Sequence, residues 1–235
     1  MKSQPPPSLR ITLEAKPQQL VKLRALQSMF AEACNALAPL VRETRCWNRV
    51  ALHHMAYKQL RERFPGLGSQ MVCNTIYSVS RIARIVYQHP ASPFNIARLG
   101  DKPLPLVRFA AHAPVYFDRH TLSLKDGLVS MFTLDGRMRF ELNLAPEHEQ
   151  RFREAKLREI MLAGSGRQYT LTFEFASDEA ATGQPGGTDW PEYVLITDDD
   201  SVRPRPLPSW MAAAAARAAQ QAALKRAENL TRATR

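Results

Sequence analysis

The spacing of apolar residues changes part-way along the chain, from a helical period to a strand-like period. Between residues 17 and 89, apolar side chains recur every three or four positions, which predicts helices. The first helix begins at Pro17, a position where proline is well tolerated, and the second spans about Trp47 to Phe64. The third begins near Ser69, its predicted N-cap, and continues to Gln88.

Alternation of apolar and polar residues with a period of two predicts the strands. Asp126-Gly127 and Asp135-Gly136 are strong signals for tight hairpin turns. The segment 8–14 also alternates, but no hairpin partner lies beside it, so we expect its partner from much later in the chain. The predicted strands are 8–14, 106–109, 115–117, 121–124, 128–134, 138–142, 156–162, 169–175 and 193–197, with a helical turn near 146–152.

These periods together predict an α+β fold in which a β-barrel carries a helical insertion. A barrel closed by the first strand would remove most of its exposed sheet edges. We expect the barrel at 1–16 and 104–176, an inserted three-helix unit at 17–89, a connector at 90–103, a linker at 177–208 and an Ala-rich basic helical arm at 209–235.

The charge of the chain favours polyanionic partners. Lys and Arg number 32 against 22 Asp and Glu, which gives a formal net charge of +10. Such a balance promotes salt-sensitive association with nucleic acid, the leading class, or with an anionic membrane surface, the second. No apolar run is long enough to predict a membrane span or a secretion signal. Three cysteines without CxxC spacing fit buried residues in a reducing compartment, so we expect a cytoplasmic protein.

The third helix carries a polar stripe opposite its apolar face. The stripe combines amides that can pair with base edges, an aromatic ring that can stack and guanidinium groups that suit phosphates. A solvated amphipathic helix is the alternative interpretation. The absence of acidic residues from the stripe and the basic chain favour a nucleic-acid surface. Its members are Asn74, Tyr77, Arg81, Arg84 and Gln88.

Motifs for enzymatic chemistry are not apparent in the sequence. His53-His54 lacks the HExxH context of a zinc protease, and Gly164-Ser-Gly166 is typical of a turn. Phosphate-binding glycine loops and a GxSxG nucleophile are missing too. We therefore expect neither catalysis, nor a metal, nor another cofactor. Asn35 lies on a helix of core-type residues, and we interpret it as a structural polar group.

Several short motifs, in their order and spacing, resemble the N-terminal half of the TnpB (OrfB) family. Members of this family are transposon-encoded, RNA-guided nucleases related to the type V CRISPR effectors. The resemblance covers about Leu9 to Phe175. It is carried by Ala33-Cys-Asn35, Leu52-His-His54 with Tyr57, Leu60-Arg-Glu-Arg-Phe64, Ser69-Gln-Met71, Tyr116-Phe-Asp-Arg-His-Thr-Leu-Ser-Leu124, Val129-Ser-Met-Phe-Thr-Leu-Asp-Gly-Arg137 and Tyr169-Thr-Leu-Thr-Phe-Glu174.

The resemblance implies an oligonucleotide-binding-like wedge barrel with an inserted recognition lobe. In such proteins these two parts hold a guide RNA and read a short duplex motif beside the target. The matching duplex-reading positions are Gln70, at the start of the third helix, and Trp47 and Asn48, near the start of the second. Gln and Asn can bond adenine in the major groove, although a Gln at a helix start can equally bond the backbone.

The chain departs from the family after the barrel. The family continues into a RuvC-like nuclease domain with metal-binding acidic residues and a zinc ribbon, whereas about 60 residues follow Phe175 here, too few for that domain. Asp198-Asp-Asp200 could be a remnant of its first catalytic strand, but an acidic turn is the preferred interpretation.

We therefore expect a nuclease-less binding protein that takes up a guide-like RNA and contributes to recognition of double-stranded DNA. It could act as a regulator or with a separate nuclease or effector protein, and it could form a homodimer. The alternatives are an RNA-free DNA-binding regulator and a protein-interaction scaffold. Besides the stripe, the candidate nucleic-acid contacts are Trp47, Asn48, Tyr57, Gln70, Arg108, Arg119, Arg137, Arg139 and basic residues of the C-terminal arm.

Overall fold

The computed structural model describes residues 8–142, 144–176 and 191–197, together with Gln220. Most of the predicted linker at 177–208 and the predicted arm at 209–235 lie outside the described residues. Within the described ranges, the fold mixes α-helices with antiparallel sheets, as the α+β prediction states. No described helix is long and apolar enough to cross a membrane.

The helical part has three long helices at the predicted positions. Helix α1 spans Pro17–Thr44, α2 spans Arg49–Arg63 and α3 spans Gly68–Tyr87, with a short 3-10 helix at Pro65–Leu67. Helix α1 lies against both of the others, and its apolar stripe is buried. The predicted N-cap of α3 is wrong, because Leu67 occupies that position and Ser69 lies within the first turn. A fourth, short helix, α4, covers Ile96–Leu99 in the predicted connector.

The first strand finds its partner near the end of the described chain, as predicted. Strand β1 (Ser8–Leu13) pairs antiparallel with β8 (Gln168–Phe175), which also pairs with β7 (Leu157–Ser165). Strand β3 (Val115–Phe117) pairs with the other edge of β7 and completes a sheet of order β1-β8-β7-β3. Helix α5 (Pro146–Glu154) precedes β7.

Asp126-Gly127 forms one hairpin turn of a second, three-stranded sheet, and the other turn is Leu134-Asp135, with Gly136 as the first residue of the next strand. The sheet contains β4 (Leu122–Lys125), β5 (Leu128–Thr133) and β6 (Gly136–Glu141), in that order. Asp126 and Gly127 have φ values of 50° and 71°, the left-handed conformation that a tight two-residue turn requires.

A third sheet is anchored to the helices by Asn35. Its strands are β2 (Leu106–Phe109) and β9 (Val194–Thr197), which pair antiparallel. The Asn35 side chain donates from Nδ2 to Phe109 O at 2.8 Å and accepts from Phe109 N at 2.7 Å. The predicted structural role of Asn35 is therefore confirmed.

The predicted closed barrel is not observed among the described residues. Their strands form three separate antiparallel sheets, and no pairing joins β4 or β6 to the four-stranded sheet. The sheets and helices nevertheless share one hydrophobic core, which includes Leu23 of α1, Val72 of α3, Met131 of β5 and Phe173 of β8. Continuity thus comes from packed side chains rather than from a continuous hydrogen-bonded ladder.

Candidate nucleic-acid interface

The predicted polar stripe of α3 points largely into the protein. Asn74 is 6% exposed, and its Nδ2 donates to the backbone oxygen of Tyr116 on β3 at 3.0 Å. The prediction that Asn74 lies on an outward surface is therefore wrong. Helix α3 is covered on both sides, since its apolar face packs within the helical unit while Asn74 contacts the sheet.

Tyr77 is engaged by an acidic residue that comes from another part of the chain. Its hydroxyl donates a hydrogen bond to Glu159 Oε2 on β7, and its ring lies edge-on to Tyr116, 5.6 Å away. Burial, and then the neighbouring Glu159 carboxylate, raise the pKa of Tyr77 well above its usual range. The ring is half-buried between helix and sheet, so the structure does not present it as a free stacking surface.

Arg81 belongs to the same polar junction. Its Nη1 donates to the Tyr116 hydroxyl at 3.1 Å, and its Cζ lies 5.8 Å from the centroid of that ring. Asn74, Tyr77 and Arg81 thus connect α3 to β3 and β7, which indicates a structural role for this part of the stripe.

The stripe is fully exposed only at the C-terminal end of α3. Arg84 and Gln88 are exposed. Gln88 accepts a hydrogen bond from Trp47 Nε1 at 3.1 Å, and the Trp47 ring lies 5.7 Å from that of Tyr87. Trp47 is therefore held against the end of α3 and is half-buried.

The other candidate positions of the helical unit differ in how much they can offer a ligand. The exposed Asn48 side chain caps α2, accepting from Val50 N at 3.0 Å and from Ala51 N at 3.1 Å. Tyr57 is half-buried and stacks on His53, with ring centroids 4.6 Å apart. Gln70 is half-buried in the first turn of α3.

The remaining candidate arginines are exposed and fall into three places. Arg108 lies on β2, opposite Leu195, and Arg119 lies in the turn before β4. Arg137 and Arg139 lie on β6, on the outer face of the β4-β5-β6 sheet. The structure thus separates Arg108 from the pair on β6 and brings that pair together on one sheet face.

An open groove of about 580 Å³ runs over this outer face. Ser123, Ser130 and Arg139 lie directly opposite one another on the three strands, and Lys125 follows on β4. Among the described residues, three cationic side chains line the groove, namely Lys125, Arg137 and Arg139, against one carboxylate, that of Asp126. The groove is therefore electropositive, which suits an oxyanion.

The Arg137 guanidinium organises the serines of the groove. Its Nε donates to Ser130 Oγ at 2.9 Å and its Nη2 to Ser123 Oγ at 3.3 Å. Further bonds go to Ser130 O at 2.5 Å and to His120 O at 3.3 Å. Because both hydroxyl oxygens accept from Arg137, their own protons are left to donate elsewhere. Two hydroxyl donors beside Lys125 and Arg139 make a cradle that matches a phosphate group.

Sequence reasoning missed Ser123, Lys125 and Ser130. The Asp126-Gly127 pair could have revealed them, because a two-residue hairpin turn fixes which residues of its two strands lie opposite each other. Counting back from that turn places these residues on the outer face. Glu159 was missed because its contact with Tyr77 depends on the packing of α3 against β7, which no local pattern encodes.

No group of His, Cys, Asp and Glu side chains in the described ranges could hold a metal ion. Comparison with known proteins adds no relative: neither a protein-family model nor a curated protein matches the chain. The inference of function therefore rests on the serines and cationic side chains of the outer face of the β4-β5-β6 sheet.

Proposed function

We propose that this chain is a nucleic-acid-binding protein that holds a structured RNA on the outer face of the β4-β5-β6 sheet. The observation that carries the proposal is the cradle of Ser123, Lys125, Ser130 and Arg139, organised by Arg137. The net charge of +10 supports it, because long-range attraction concentrates a polyanion at the surface.

Phosphate is the ligand group that this cradle fits best. Arginine offers several N–H donors in a planar fork, and serine hydroxyls add shorter-range donors whose direction is fixed by Arg137. Such contacts bind the backbone and carry no sequence information. Sequence recognition would then come from base pairing by the bound RNA, as in RNA-guided systems.

The finer proposal follows the resemblance to the TnpB family. The bound RNA would act as a guide, and the helical unit would contribute to recognition of double-stranded DNA beside the target. Gln70, the exposed Arg84 and the region of Trp47 and Asn48 are the candidate DNA contacts. Cleavage would be supplied by a separate nuclease, or the protein would act as a regulator without it.

Expression of the protein with its native flanking DNA tests this function. The protein is purified in high salt, and the RNA that accompanies it is sequenced. One defined RNA with uniform ends supports a guide-binding role and gives the target by complementarity. Heterogeneous RNA, or none, contradicts that role and favours an RNA-free DNA-binding regulator or a protein scaffold. Those two are separated by measuring affinity for duplex DNA.

A further inference from the structure

A second groove, of about 680 Å³, lies along β4 and shares Ser123, Lys125 and Asp126 with the groove of the basic face. It is bordered by β4, α5 and the four-stranded sheet. Apolar side chains form its floor, namely Leu122, Leu124, Phe152, Ile160 and Phe173. The groove occupies the opening left because β4 does not pair with the four-stranded sheet.

Strand β4 presents a backbone edge to this groove. Lys125 pairs with Leu128 across the two-residue turn, and Phe132 N donates to Thr121 O at 2.8 Å, so the odd-numbered residues of this segment bond to β5. Leu124 therefore directs its backbone N–H and C=O away from β5. Among the described strands, none pairs with this edge. An edge of this kind is a template for an added strand.

A second strand edge faces the same opening. Strand β3 pairs with Ile160–Leu162 of β7. Among the described strands, the residues of β7 before Ile160 therefore pair with β8 on one side and have no strand on the other. Leu157, in that part of β7, lines the groove and is 38% exposed. The groove thus lies between two strand edges and above an apolar floor.

Charged side chains at the rim favour an acidic occupant. Arg119 and Lys125 flank β4 at its two ends. The Glu149 carboxylate forms an ion pair with Arg153, with Oε2 and Nη2 3.4 Å apart. Asp126 is then the one carboxylate of the described lining that has no ion-pair partner. The uncompensated rim therefore has two cations against one anion.

We propose that this groove accepts an extended segment of a partner protein, which adds as a strand to β4. Its side chains at alternate positions are apolar and enter the groove, and carboxylates at its ends meet Arg119 and Lys125. Main-chain bonds to Leu124 supply affinity, and the apolar floor selects the alternating pattern. The two grooves share Ser123, Lys125 and Asp126, so an acidic peptide and a phosphate group would compete for the Lys125 ammonium.

The test uses the full chain and two fluorescent eight-residue peptides of alternating valine and threonine, one with aspartate at both ends and one with lysine. We expect the acidic peptide to bind about tenfold more tightly by fluorescence anisotropy, since two exposed charge pairs are exchanged for repulsions. We also expect the acidic peptide to slow hydrogen exchange at the Leu124 amide.

Leu157→Glu should weaken binding of the acidic peptide at least tenfold. Leu195→Glu, at a 54% exposed position on β9, is the matched control and should leave binding unchanged.

Three results would overturn the proposal. They are failure of both peptides to bind, equal affinity for the two, and binding of the acidic peptide without protection of Leu124. Protection of Leu124 by a short RNA instead of the peptide would reassign the groove to nucleotides. Circular dichroism verifies that the Leu157→Glu variant is folded. If the variant is unfolded, hydrogen exchange at the Leu124 amide of the unaltered protein, with and without the acidic peptide, tests the proposal by itself.

Discussion

Arg81 of α3 donates a hydrogen bond from Nη1 to the hydroxyl of Tyr116 on β3, at 3.1 Å. The same guanidinium lies over the Tyr116 ring, with Cζ 5.8 Å from the centroid. The side chain that the sequence suggested as a phosphate contact therefore joins the helical unit to the four-stranded sheet. Its neighbour Arg84, one turn further on, is exposed.

This difference predicts unequal effects on stability for two similar substitutions. Arg81→Ala should lower the free energy of unfolding by about 1–3 kcal/mol, because it leaves the Tyr116 hydroxyl without its donor. Arg84→Ala should change it by less than about 0.5 kcal/mol, as is usual for an exposed position. Urea denaturation of both variants measures the difference. Equal stabilities would contradict the structural role of Arg81.

Asn35→Ala should destabilise the protein by about 1–3 kcal/mol, because both backbone groups of Phe109 lose their partners. Asn35→Asp is the informative control. It keeps an acceptor for Phe109 N but places an oxygen against Phe109 O, so it should not restore stability. If the Asn35→Asp variant is as stable to urea as the unaltered protein, the two hydrogen bonds between the Asn35 side chain and the Phe109 backbone do not contribute to stability.

The tyrosines at the helix–sheet junction predict a loss of stability in alkali. Burial raises the pKa of Tyr77 and of Tyr87, so the folded state retains their protons after the unfolded state has lost them. Their contribution is complete below the unfolded pKa of about 10 and declines above it, by up to about 1.4 kcal/mol per pH unit for each group. Tyr77→Phe removes one of these groups, so the free energy of unfolding should decline by up to about 1.4 kcal/mol per pH unit less steeply.

Measurement of urea denaturation from pH 8 to pH 11 tests this expectation. Tyr87→Phe should reduce the decline by a similar amount, while also losing the hydrogen bond that the Tyr87 hydroxyl donates to Pro105 O at 2.6 Å. A stability that does not change across this range, or a decline that Tyr77→Phe leaves as steep, would contradict the burial argument.

Gly127→Ala should both destabilise the protein and weaken RNA binding. Gly127 has a φ of 71°, and an added Cβ would lie 3.3 Å from Leu142 O, so alanine is strained at this turn. We expect a loss of about 1 kcal/mol or more, together with a disturbed register of Ser123 and Ser130. Gly66→Ala, where the added Cβ meets Leu134 at an ordinary 3.9 Å, is the control. An equal effect of the two on thermal unfolding and on RNA affinity would argue against the role of the turn.

Local patterns predicted the elements well, but not which face of each element is exposed. The helical period located α1, α2 and α3, and the Asp126-Gly127 pair located the β4–β5 hairpin. The assumption that α3 has one buried and one exposed face failed at Asn74, because β3 covers the side opposite α1 and α2. Polar residues that join two elements have the same local pattern as polar residues that face solvent.

The candidate site shows the same limit. Arg137 and Arg139 were predicted as phosphate contacts and do lie on an exposed basic face. Their relationship to Ser123 and Ser130 depends on the pairing of three strands, which no single strand specifies. Glu159 is separated from Tyr77 by 82 positions, so only the folded chain reveals that the stripe has an acidic partner.

The measurement that tests the central claim most directly is the salt dependence of RNA affinity with and without the cradle. A structured RNA is titrated into the unaltered protein and into the double variant Lys125→Ala with Arg139→Ala, at several salt concentrations. Arg10→Ala with Arg167→Ala, which removes two exposed cations from strand β1 and from the turn between β7 and β8, is the charge-matched control. We predict that the cradle variant binds more weakly and that its slope of log affinity against log salt is shallower by about 1.4–1.8, for two lost phosphate contacts. An unchanged slope, or an equal change in the control variant, would contradict the assignment of RNA binding to this sheet face.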